Sequence, residues 1–340
     1  MPTSRRDFLY ALAGAPLIST LDRLPDSFAR TRQADIASSS PRVTNYRADN
    51  RALLVEGRTL LVAFTFPDSI EQLTGSLPVR LKPASLKNDP NSDPLIEPQP
   101  LFFYPSADKR TFRAILSAPL DCIEGRAVLH LSASPQTQRS NSQWSFPYAA
   151  QQGVYRQSSL TLDRNFSEPS PEIVSRQRAD FETMVEIYGR RTERRWQTEF
   201  VQPVPGIDRN NFGDNRVVNG TKHYRHAGLD YRAATGTAVR AINDGVIALS
   251  AEQWTPGQTV CIDHGGGVFS KYLHLSERRA REGESVKRGQ LIGLSGHSGG
   301  QKPPPHLHLD LVVSGIHVEP KNFMRTAAQL LKLEAEDRSA

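Results

Sequence analysis

Between about residues 42 and 150 the chain alternates short apolar runs with clusters of Pro, Asp, Asn and Gly. Runs at 59–66, 77–81, 101–104, 111–117, 126–133 and 143–148 have the length and residue types of strands. Their spacing predicts a small β-sandwich of immunoglobulin-like character. Ser170-Pro171-Glu172 then supplies a capping hydroxyl and a first-turn proline. Val174, Phe181, Val185 and Tyr188 recur at helical spacing before Gly189, which predicts one helix with a defined stop. Beyond residue 200 the apolar runs are short and punctuated by glycine, at 238–241, 245–250, 259–263, 268–275, 291–294 and 307–313. A helical period returns at 322–334. The expected fold is therefore mainly β: a sandwich, a joining helix and a second, strongly curved all-β domain.

The two ends and the connections complete this division. Residues 1–29 pair Arg5-Arg6 with a mostly apolar run over 8–21, and Ser27-Phe28-Ala29 offers a small-x-small cleavage site. This is the pattern of a twin-arginine-type signal peptide, which predicts export to the periplasm or cell envelope. The apolar run is too short to span a bilayer as a helix, so no stable membrane span is expected. The predicted organisation is a signal at 1–29, a polar linker at 30–41, the sandwich at 42–150 and a connecting segment with the helix at 151–199. The second β-domain follows at 200–325, with a C-terminal tail at 326–340.

Composition narrows the classes without choosing among them. The 340 residues are 38% hydrophobic and 23% charged, which excludes collagen, coiled coil and wholesale disorder. Two cysteines, Cys122 and Cys261, are too few for a disulfide-stapled scaffold, and two unpaired thiols are expected. The net charge of +6 suits any anionic polymer. The basic run Arg190, Arg191, Arg194 and Arg195 has Trp196 as its one nearby aromatic, so it reads as a solvated segment and no nucleic-acid partner is expected.

Histidine usage locates the chemistry. Of nine histidines only His130 falls outside 223–317. His226-Ala227-Gly228-Leu229-Asp230 is extended in pattern, so His226, Gly228 and Asp230 share a face, and the glycine leaves a gap where a cation could sit. His306-Leu307-His308 again puts two imidazoles on one face, behind Pro303, Pro304 and Pro305. In Tyr272-Leu273-His274-Leu275, Tyr272 and His274 are expected to share a face. Two imidazoles and one carboxylate suit a catalytic zinc site, with a fourth position left for water. Spare histidines can move protons or stabilise an oxyanion. Which of His306 and His308 is the ligand stays open on this reading.

Residues from about 200 to 325 resemble the lysostaphin/LytM-type zinc metallopeptidases, which cut peptide bonds in bacterial peptidoglycan. The resemblance is carried, in colinear order, by Phe212-Gly213, Arg216, Asn219-Gly220, the His226-to-Asp230 segment and Thr235-Gly236-Thr237 with Val239. It continues through Asp244-Gly245-Val246, Asp263-His264-Gly265, Tyr272 to Ser276, Val286 to Gln290 with Ile292-Gly293, and Pro305 to His308. It implies a curved antiparallel β-sheet forming a groove, and one Zn2+ per chain bound by His226, Asp230 and His308. His274 and His306 would then act as catalytic residues on the open side of the metal. Two departures stand out: Pro303-Pro304 replaces a usual Thr-Gly, and Leu309 replaces a frequent aromatic before an acidic residue, here Asp310. The first bears on substrate preference.

The expected function is a zinc endopeptidase acting on peptidoglycan stem peptides or cross-bridges, with other cell-envelope proteins as further partners. Its alternative is a catalytically silent LytM-like regulator that binds and activates other wall hydrolases. Such regulators have lost metal ligands, whereas here all three and both accessory histidines are present. A zinc dipeptidase would pair HxxxD with a later ExxH, and none follows Asp230. His264 is expected to be structural, and His223, His297 and His317 carry no assigned role.

Overall fold

The computed structural model describes residues 40–47, 51–79, 99–135, 142–162, 164–300 and 304–339. The segment expected to be a signal peptide, most of the expected 30–41 linker, the end of the run at 77–81 and Pro303 lie outside the described residues.

The N-terminal strands are β1 (Arg42–Asn45), β2 (Leu53–Val55), β3 (Thr59–Thr65), β4 (Ile70–Leu77), β5 (Gln99–Pro100), β6 (Phe103–Pro105), β7 (Thr111–Ser117), β8 (Gly125–Pro135) and β9 (Ser142–Gln151). They form two sheets, ordered β1-β3-β7-β6 and β2-β9-β8-β4-β5. Alternate residues of both sheets meet in one core: Leu60, Val62 and Phe64 of β3 face Leu129 and Leu131 of β8 and Trp144 of β9. This is the two-layer packing that the run spacing predicts. Of the run at 101–104, Leu101 and Phe102 lie between β5 and β6, and Phe103 and Tyr104 belong to β6.

The connecting segment holds β10 (Gln157–Leu160), the short α1 (Arg164–Ser167) and α2 (Pro171–Tyr188). Ser170 Oγ accepts from Ile173 N, and Gly189 caps the far end, so both local signals act where they were read. The buried stripe is rotated from the expected one. Met184 and Ile187 are buried against the sheet, whereas Val174 is 39% exposed. The packing surface, not the strongest apolar spacing, sets the helix phase.

The C-terminal strands are β11 (Asn215–Val218), β12 (Lys222–Arg225), β13 (Gly228–Tyr231), β14 (Ala238–Arg240), β15 (Gly245–Gln253), β16 (Gly257–Gly265) and β17 (Val268–Arg278). They continue with β18 (Ser285–Val286), β19 (Leu291–Ser295), β20 (Leu307–Val313) and β21 (Ile316–His317), before α3 (Pro320–Ser339). A nine-stranded sheet runs β13-β20-β17-β16-β15-β18, with β19 joining β17 to β14 and β21 pairing β20. Its strand pairs are antiparallel, and it is the curled sheet that the glycine-punctuated pattern predicts. The expected tail at 326–340 is helical through Ser339: Phe323, Ala327 and Leu330 of α3 insert into the same core as Trp196 and Phe200.

The same helix holds the sandwich. Asn322 Oδ1 accepts from Thr59 N at 2.6 Å and from Thr59 Oγ1 at 2.9 Å. Arg113 of β7 pairs with Asp337 at 2.6 Å. Leu61, Tyr104 and Ile115 of the sandwich belong to the C-terminal domain's core cluster.

Candidate metal centre

Register brings the two sequence segments together. β13 pairs antiparallel with β20, placing Asp230 opposite His308 and Gly228 opposite Asp310. His226 precedes β13 and turns its ring toward His308, with centroids 4.7 Å apart. The space over Gly228, expected to admit a cation, is filled by His308 and Asp310. A Cβ there would lie 2.2 Å from His308 Nε2 and 2.6 Å from Asp310 Oδ1. The glycine allows the close approach of the two strands that seats the His308 ring.

Three donor atoms converge beside it. His226 Nε2 lies 3.0 Å from His308 Nδ1 and 3.1 Å from Asp230 Oδ1, and His308 Nδ1 lies 2.9 Å from Asp230 Oδ1. Ligands at zinc distances with tetrahedral angles are separated by about 3.3 Å, so this triangle fits one face of a zinc coordination sphere. His226, Asp230 and His308 are also a group that could hold a metal ion on ligand-atom spacing among the described residues.

Neighbouring groups orient each donor. His226 Nδ1–H donates to Asn211 O at 2.8 Å, leaving the Nε2 lone pair directed at the triangle. His308 Nε2 is 2.7 Å from Asp310 Oδ1, so a carboxylate holds the ring with Nδ1 inward. Asp230 Oδ2 accepts from Asn211 Nδ2 at 2.7 Å and Arg216 Nη2 at 3.1 Å, which reserves Oδ1 for the metal position. Burial opposes the charge on Asp230, yet hydrogen bonds and attraction from His226 and His308 keep its pKa well below the usual value. Burial likewise opposes charge on His308, but Asp310 and Asp230 outweigh it and push its pKa up to about 9.

His274 and His306 stand on one side of this triangle, their rings 4.9 Å apart. His274 Nδ1–H donates to Ser298 O at 2.9 Å and His306 Nδ1–H to Pro304 O at 2.7 Å, so each keeps an Nε2 lone pair. His306 Nε2 is 3.6 Å from Asp230 Oδ1. Burial, reinforced by His306 and His308, pushes the His274 pKa down to about 3, and burial also lowers that of His306. Both are neutral proton acceptors at pH 7.

Tyr272 and His274 do not share surroundings as alternation predicts. A bulge in the β16–β17 pairing falls between them, and His274 takes φ 61°. Tyr272 is fully buried, its hydroxyl accepting from Ile242 N at 2.9 Å, while His274 turns to the cluster. His264 is structural: it is buried, with Nδ1 2.7 Å from Asp244 O and Nε2 2.8 Å from Ser270 Oγ, and burial pushes its pKa down to about 4. His130, His223 and His297 are exposed. His317 lies behind Asp310, with Nδ1 3.9 Å from Oδ1. Cys122 and Cys261 are buried, and no disulfide joins them. The orienting residues Asn211 and Asp310 were not legible as site residues. The one available signal was the spacing of two between His308 and Asp310 on a strand.

Residues 224–320 match the model of Peptidase family M23. The chain is 38% identical over 128 residues to peptidoglycan DD-endopeptidase ShyC of Vibrio cholerae, covering 37% of this chain and 29% of that protein. It is 38% identical over 115 residues to DD-carboxypeptidase/endopeptidase Mpg of Neisseria meningitidis, covering 34% of this chain and 26% of that protein. The chain thus spans under a third of the length of these curated relatives. A crystal structure of a Pseudomonas aeruginosa protein described as a candidate peptidase M23 has the same fold, with TM-score 0.55 at 20% identity. That likeness covers 79% of this chain and 94% of the other.

Proposed function

We propose that this protein is a zinc-dependent endopeptidase that hydrolyses peptide bonds in bacterial peptidoglycan. The observation that carries the reading is the triangle of His226 Nε2, Asp230 Oδ1 and His308 Nδ1, each aimed by a separate hydrogen-bond partner. The M23 match and the peptidoglycan activities in the names of ShyC and Mpg support the substrate class. That substrate implies an envelope location. Among the described residues no helix is long and apolar enough to cross a membrane.

Zinc in such a donor set would supply Lewis acidity that polarises the scissile carbonyl and acidifies water. His226, Asp230 and His308 would hold it. The chain's other groups handle protons. His274 Nε2 and His306 Nε2, neutral and unprotonated, can take the proton of the attacking water and return it to the leaving amine. In the protonated form the same N–H groups can donate to the developing oxyanion.

The test is a pair of variants on isolated wall sacculi. His308→Ala should lose bound metal and all release of new amino termini. His274→Ala should keep about one metal per chain and lose turnover by about 100-fold or more. Wild-type protein that binds no zinc, or that is unaffected by chelator, would exclude this reading. The complete donor set is also what separates it from that of a silent regulator.

A further inference from the structure

The sandwich touches the C-terminal domain at a second place, beside the metal centre. Glu56, in the turn between β2 and β3, is 1% exposed. Its carboxylate accepts from Asp121 N at 2.5 Å and Gly153 N at 2.9 Å, and Oε1 lies 3.2 Å from Arg225 Nη1. Asp121 Oδ1 holds the same Nη1 at 2.7 Å. Tyr155 covers the guanidinium at 4.8 Å and donates its hydroxyl to Glu56 O at 2.5 Å.

Arg225 immediately precedes His226. Its Nε donates to Gly213 O at 2.9 Å, and Gly213 N donates to His226 O at 2.7 Å. Gly213 has φ 77°, and a Cβ on it would lie 2.3 Å from the Tyr155 ring. Two residues earlier, Asn211 orients both His226 and Asp230. An unbroken series of contacts therefore runs from two sandwich carboxylates, through Arg225 and the 211–213 segment, to two donors of the triangle. A buried ion pair is a costly way to glue two surfaces, and apolar side chains would do so at less desolvation penalty. What the pair adds is one fixed orientation of Arg225, and hence of the backbone that aims His226.

We infer that Glu56 and Asp121, acting through Arg225, are positioning residues of the metal centre, so that the β-sandwich is part of the machinery that binds the ion. The inference rests on the metal-site reading above and is tested separately from it. Zinc alone is titrated into the full chain against a chromophoric chelator, and melting temperatures are recorded alongside. Glu56→Gln and Asp121→Asn should each weaken zinc binding by about 10-fold or more, the range of outer-sphere substitutions. Arg113→Ala, which breaks a sandwich contact on α3 instead, should lower the melting temperature and leave zinc affinity within about threefold of wild type. Arg225→Lys should retain more affinity than Arg225→Met. Asp121 has the more exposed carboxylate, and its variant keeps the test open if Glu56→Gln fails to fold. Wild-type affinity in both carboxylate variants, or an equal loss in Arg113→Ala, would overturn the inference while leaving the metal site standing. A wild-type protein that binds no zinc would instead overturn the underlying reading.

Discussion

Both nitrogens of His308 lie against carboxylates, Asp230 at 2.9 Å and Asp310 at 2.7 Å. The first contact is where a metal would displace a proton, and the second keeps the ring in place when it does. Asp310→Asn preserves shape but removes the charge that anchors Nε2–H. Zinc affinity, measured by chelator competition, should fall by about 10- to 100-fold, with the fold intact by circular dichroism. The raised pKa of His308 has a further consequence. In the metal-free protein this ring is protonated below about 9, and metal binding must expel that proton. Apparent zinc affinity should therefore rise with pH from neutrality up to about 9 and level off above it. A pH-independent affinity across that interval would contradict the assignment of Nδ1 as a donor.

The strands show which expectations local pattern can support. Thr111–Ser117 and Leu307–Val313 begin and end where their apolar runs do, because turn residues bound them on both sides. His306 and His308 were legible together because spacing of two in an extended segment puts side chains on one face without knowledge of the partner strand. His226 and Asp230, four apart, were read in the same way, although His226 lies just before β13. The turn of His274 was not legible, since a bulge is a property of the β16–β17 pairing and not of either run. The last helix was legible by its period from 322 to 334, and its continuation to Ser339 was not, because those last residues are mostly polar. Asp310 became a site residue through its contact with His308, two positions along β20, a spacing that by itself does not single it out. Register makes Gly228 indispensable. Gly228→Ala would push β13 from β20 or displace His308 from Asp310. It should destabilise the protein by about 1–3 kcal/mol in urea unfolding and reduce bound metal.

Over the whole molecule, α3 is the element shared by both halves. It fills the C-terminal core with Phe323 and Leu330 and presents Asn322 to the sandwich. Asn322→Ala leaves the Thr59 N–H without that acceptor at a part-buried contact and should cost about 1–3 kcal/mol. The urea midpoint should fall while zinc stoichiometry stays unchanged, because this contact lies outside the Glu56–Arg225 series.

The placement of α3 and β20 also fixes an order of events during synthesis. Asp230 leaves the ribosome 78 residues ahead of His308, and the helix that seals the core is made after both. A nascent chain accordingly lacks the third donor until translation has passed His308, and the helix that seals the core until it has passed α3.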